Sequence, residues 1–63
     1  MAGKDNTMNI KLFPYAESRE VITYDFAKRV RIIEMGNTYE IVTQSDNLVW
    51  YSTSEYTIEI VSE

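Results

Sequence analysis

Cysteine and histidine are both missing from this chain. Without cysteine no disulfide can form, and the sequence points to neither an oxidising nor a reducing compartment. Without either residue, the zinc sites built from thiolate and imidazole ligands are excluded. Most catalytic arrangements also use one of the two as base, nucleophile or ligand. What remains for chemistry is a carboxylate pair, a lysine amine or a tyrosine phenol. Glu40 and Glu59 are the carboxylates that could meet on an outward face. Acid–base work, however, needs a water-poor pocket that drives their pKa values apart, and 63 residues leave little room for one. Glycine is scarce as well: with only Gly3 and Gly36, no glycine-rich phosphate loop can be written. The expectation is a non-enzymatic protein with no catalytic residue, no cofactor and no metal site.

Long apolar runs are also lacking, and none approaches the ~20 residues that a membrane-crossing helix needs. Lys4 is followed by no apolar stretch of the secretory type, so a soluble, cytoplasmic chain is expected. Residues 1–7 are small, polar and aperiodic and read as a flexible leader, with Met8 a second plausible start. Residues 8–63 then form a single small domain. A chain this short buries only about 60% of its unfolded surface, and with disulfides excluded, self-association or close packing must make up the difference.

Charge of one sign is absent from half of the sequence. The net charge is −4, yet all six basic residues (Lys4, Lys11, Arg19, Lys28, Arg29 and Arg31) lie at or before position 31. Beyond it stand Glu34, Glu40, Asp46, Glu55, Glu59 and Glu63, with no lysine or arginine. In a sheet the two halves can interleave and neutralise each other. If they do not, the acidic half forms a negative surface suited to a basic site on another protein, as small phage-encoded inhibitors of host enzymes do. The cluster Lys28-Arg29-x-Arg31, just after Tyr24 and Phe26, raises nucleic-acid binding as a lesser alternative.

What the sequence has in abundance is alternation of β-branched and aromatic residues with polar ones, the signature of half-buried strands. Met8–Phe13 places Met8, Ile10 and Leu12 on one face, and Pro14, without an N–H, ends it. Glu20–Phe26 places Ile22, Tyr24 and Phe26 together as a core face. Ala27-Lys28 then marks either a tight turn or a bulged bend carrying one long strand round a corner. Arg29–Thr43 reads as a hairpin about Gly36-Asn37, with a two-residue turn that pairs Met35 with Thr38 and Ile33 with Glu40. Ser45-Asp46-Asn47 is the next turn, Leu48–Thr53 the next strand, and Tyr56–Ser62 the last.

The expected fold is all-β: a small antiparallel meander of five or six strands, forming a small barrel or a strongly curved sheet. The first strand beside the last would remove both edges. In size and strand count, and in nothing more specific, this is like the SH3-type and OB-type barrels. Leu48-Val49-Trp50-Tyr51 is apolar on both faces, which calls for burial at a corner or for a covering partner. The functional expectation is a protein-binding module, with Leu48, Trp50 and Tyr51 as apolar anchors and Glu40 and Glu59 as steering charges around them. The alternatives are a self-assembling homo-oligomer and, third, a small nucleic-acid-binding barrel.

Overall fold

The computed structural model describes residues 6–62; most of the leader expected over 1–7 lies outside that range. Six strands form, β1 (Met8–Pro14), β2 (Ile22–Ala27), β3 (Arg29–Ile33), β4 (Thr38–Val42), β5 (Leu48–Ser52) and β6 (Tyr56–Ser62). Among the described residues there is no helix, and so none long and apolar enough to cross a membrane.

The strands divide into two antiparallel three-stranded sheets, the first in the order β2-β1-β6 and the second β3-β4-β5. The expected closed barrel or single curved meander is therefore corrected to two stacked sheets. Two breaks cause it, the first of them at Lys28. This single residue separates β2 from β3, and the chain bends there out of one sheet and into the other. β2 and β3 are thus not ladder neighbours, and β5 and β6 are not either, so the ring of strands is cut twice and two sheets result. Strands that change sheets at a bend or bulge are a common way to build the corner of a small sandwich. The first strand does lie beside the last, β1 pairing with β6 along its whole length from Met8 opposite Ser62 to Pro14 opposite Tyr56, but no edge is removed, since β2 and β6 remain the edges of that sheet.

A bulge prepares the corner. β1 pairs with β2 in register at Ile10–Tyr24 and Leu12–Ile22, but Met8 is then opposite Ala27, so β2 carries one extra residue. Phe26 adopts φ 59°, in the left-handed region, and its N–H donates to Asn9 Oδ1 at 3.1 Å. The extra residue inverts the alternation that precedes it. Phe26, expected in the core, turns outward, and Ala27 is fully buried in its place.

The central hairpin also differs from expectation. Ile33 pairs with Thr38, Ile32 with Tyr39 and Arg31 with Glu40, so the loop is the four residues Glu34–Asn37 rather than two. Glu34, Met35 and Gly36 all take positive φ, at 55°, 58° and 92°. The Ile33 carbonyl accepts from both Gly36 and Asn37, and Thr53 ties the loop to β5 through its N–H to the Asn37 carbonyl and its hydroxyl to the Gly36 carbonyl at 2.8 Å. The two-residue register would place Ile33 opposite Glu40. The observed one opposes Arg31 to Glu40, a favourable cross-strand charge pair, and this offsets two non-glycine residues held in the left-handed region.

The core lies between the sheets. Ile10, Leu12 and Ala27 of the first sheet meet Tyr39 and Ile41 of the second, with Tyr56 beside them. Tyrosines fill the rest. Tyr51 packs edge-on against Tyr56, with centroids 5.3 Å apart, and is tilted against Tyr24 at 6.1 Å. The Tyr24 and Tyr51 hydroxyls hydrogen bond to each other, and the Tyr39 hydroxyl donates to the Tyr56 carbonyl. Buried phenols need such partners, since an unpaired hydroxyl in an apolar setting is costly. Desolvation, followed by the bond to Tyr24, raises the pKa of Tyr51 above its ordinary value.

Candidate functional site

β4 explains the face that is left exposed. Tyr39 and Ile41 alternate with Thr38, Glu40 and Val42. The first two enter the core, so the other three point away from it. Cross-strand register carries the same choice to both neighbours, giving Arg29, Arg31 and Ile33 on β3 and Leu48, Trp50 and Ser52 on β5. The outer face of the second sheet therefore consists of three rows, Arg29–Val42–Leu48, Arg31–Glu40–Trp50 and Ile33–Thr38–Ser52.

The middle row is joined by hydrogen bonds. Arg31 Nε donates to Glu40 Oε1 at 2.6 Å, and Trp50 Nε1 donates to Glu40 Oε2 at 3.1 Å. One carboxylate thus holds a guanidinium on one side and an indole on the other, and its side chain is only 12% exposed. The bond from Arg31, then that from Trp50, holds the Glu40 pKa below its ordinary value. Trp50 remains 55% exposed and Leu48 49% exposed. At the rim, Lys28 pairs with Asp46 at 2.8 Å, and the Lys28 N–H continues the ladder to the Val42 carbonyl.

Trp50, Leu48 and Glu40 thus share one surface, and the other two expected partner-binding residues lie elsewhere. Tyr51 points to the opposite side of β5 and packs among the core tyrosines. Glu59 lies in the first sheet, opposite Lys11. Arg31 and Val42 also belong to the surface, although they are not among the expected partner-binding residues. Alternation along the hairpin sets Arg31 and Val42 on the same face as Glu40, and what it does not give is their place beside the strand that carries Trp50. The opposite-charge match of Arg31 to Glu40 across the hairpin was the signal that locates it.

The described acids of the second half of the chain do not gather on one face: Glu40 lies on the second sheet and Glu59 on the first. Glu40 pairs with Arg31, Asp46 with Lys28 and Glu55 with Arg19. Each of these ion pairs joins a base from the first half to an acid from the second, which is the interleaving that antiparallel strands allow. Arg19 also lies over the Tyr56 ring, 5.8 Å from its centre, and the Tyr15 N–H donates to the Glu55 carbonyl. Together these contacts fasten the 15–21 loop to the β5–β6 link. No protein-family model, curated protein or solved structure matches this chain.

Proposed function

We propose that this chain is a non-enzymatic protein-binding module that works through the outer face of its second sheet. Trp50 is the anchor, Leu48 and Val42 are its apolar surroundings, and Arg29 and Arg31 are the charges at its margin. The observation that carries this reading is the state of the Trp50 indole. Its ring is half exposed while its N–H is already bonded to Glu40. A partner that covers the ring therefore removes apolar surface from water without stranding a polar atom, which is what distinguishes a productive anchor from a costly one. Because Glu40 and Arg31 hold the ring in place, little rotamer freedom is lost on binding. A sheet face also suits the surface of another macromolecule better than a small molecule, whose sites are concave.

The form of this activity we favour is a cytoplasmic inhibitor, of the phage or mobile-element kind, that covers a working surface of an enzyme. The pairing of Glu40, Asp46 and Glu55 moves the emphasis of that reading from acidic mimicry to aromatic contact. One observation favours a second reading. An exposed tryptophan beside two arginines on a sheet is also how single-stranded nucleic acid is stacked and neutralised. The protein reading ranks higher because Glu40 offsets one arginine and the apolar Leu48 shares the exposed face with the ring.

The test is affinity capture from the source cells with the wild-type chain, Trp50→Ala and Glu59→Gln as baits. A stoichiometric protein retained by wild type and Glu59→Gln and lost with Trp50→Ala is expected. Equal retention by Trp50→Ala overturns the proposal, and retention of single-stranded DNA or RNA at low salt in place of protein selects the second reading.

A further inference from the structure

We infer that the free edge of β5 pairs with β5 of a second copy, so that two chains share one continuous six-stranded sheet. This inference rests on the strand edges and stands apart from the reading of the outer face. Backbone parity shows which groups of β5 have no ladder partner among the described residues. Thr53 N–H bonds to the Asn37 carbonyl, and Thr43 N–H to the Asn47 carbonyl. Both pairs continue the β4–β5 register, so the odd-numbered residues of β5 turn their N–H and C=O toward β4. In an antiparallel strand the alternate residues turn theirs the other way. Leu48, Trp50 and Ser52 therefore direct their backbone groups to the open edge, with the Ser52 carbonyl also accepting from Glu55 N–H.

Two-fold symmetry distinguishes this edge from the other three. When an antiparallel strand pairs with its own copy about its midpoint, the central residue faces itself. For β3 the centre is Arg31, and for β6 it is Glu59, so either pairing sets like charges directly opposite, which is destabilising. β2 is interrupted by the bulge at Phe26, a recognised guard against edge pairing. β5 has no charge, no proline and no bulge, and its centre is Trp50. Self-pairing there sets indole against indole, a favourable aromatic cross-strand pair. Each Trp50 N–H then meets the Trp50 carbonyl of the second copy, and Leu48 lies opposite Ser52. The two Arg31–Glu40–Trp50 rows fall on one face, so each copy contributes its tryptophan to a shared surface.

The experiment compares the wild-type chain with a synthetic chain that carries a methyl group on the Trp50 backbone nitrogen. That change removes one outward N–H and obstructs the edge while leaving every side chain in place. Sedimentation equilibrium is expected to give twice the 7.4 kDa chain mass for wild type, and the single mass for the methylated chain with an unchanged β-sheet circular dichroism spectrum. Amide exchange on wild type is the independent measurement, with protection at Trp50 rising with protein concentration in step with the mass. A wild-type mass of 7.4 kDa up to about 1 mM overturns the inference. So does a dimer that survives methylation, or one in which the Trp50 amide stays unprotected. Loss of the dimer with Trp50-dependent capture retained supports the edge pairing and leaves the proposed function intact. A dimer with no Trp50-dependent capture removes the proposed function alone.

Discussion

Alanine in place of Tyr51 and alanine in place of Trp50, adjacent residues of one strand, are expected to have different consequences, and the difference measures how far the two faces of β5 are distinct. Tyr51 touches both Tyr24 and Tyr56 and shares its hydroxyl bond with Tyr24. Truncating a core aromatic costs about 3–5 kcal/mol, and the Tyr24 hydroxyl loses its partner as well. Trp50 is 55% exposed, so its removal forfeits roughly half of that, about 2 kcal/mol. A domain of 63 residues has a total stability of about 3–9 kcal/mol at ~0.05–0.15 kcal/mol per residue. Trp50→Ala therefore remains folded at 25 °C, while Tyr51→Ala is brought to the edge of unfolding. Thermal melts followed by far-ultraviolet circular dichroism, at a protein concentration low enough to hold the single chain, read this directly. At about 4–8 °C per kcal/mol for a domain of this size, the Trp50 variant melts about 8–16 °C below wild type and the Tyr51 variant at least 12 °C below it, with the larger losses removing the transition altogether. Equal losses of stability would refute the reasoning, because they would mean that the outer face carries as much packing as the core.

Acid titration gives a second check. Contacts with Arg31 and Trp50 depress the Glu40 pKa, so the stability they add is present above the ordinary value of 4.5 and is lost as pH falls below it. Glu40→Gln should lower the melting temperature at neutral pH and flatten its decline in acid. At the alkaline end the sign reverses: the raised Tyr51 pKa favours the protonated phenol, so its contribution is complete below the ordinary value of 10.0 and fades as pH rises beyond it. Tyr51→Phe should weaken that alkaline loss, read as a smaller decline of the melting temperature above that value. Gly36 has φ 92° and nothing within 4 Å of where a Cβ would stand. Gly36→Ala should therefore destabilise by about 1 kcal/mol through backbone strain alone, seen as a lower urea midpoint with an unchanged m value.

Much of the candidate surface was legible. Leu48, Val49, Trp50 and Tyr51 form an apolar run that one thin sheet cannot bury on both sides, and Leu48 and Trp50 are indeed exposed. Which two of the four point outward was not legible, because alternation within a uniformly apolar strand has no phase of its own. β4 supplies that phase: Tyr39 and Ile41 are the apolar members of a clean alternation, and register transfers their orientation to Val49 and Tyr51. Glu59 was separated from Trp50 for a related reason. Spacing along the chain gives the face of a strand but not the sheet to which the strand belongs.

The positions of the strands follow from local chemistry. β-branched and aromatic alternation, Pro14 at the end of β1 and the polar turn at Ser45-Asp46-Asn47 act within a few residues, and so the sequence by itself determined six short strands, an all-β class and the exclusion of thiol and imidazole chemistry. Tertiary structure alone decided the rest. The bulge at Phe26 depends on Asn9, seventeen positions away. The four-residue hairpin loop depends on Arg31 meeting Glu40 and on Thr53 reaching back to Gly36. The division into two sheets depends on the bend at Lys28, which the Val42 carbonyl anchors, and on β6 pairing with β1 rather than with β5. Each of these is set by a partner distant in sequence, whose contribution arises only when the strands are brought together.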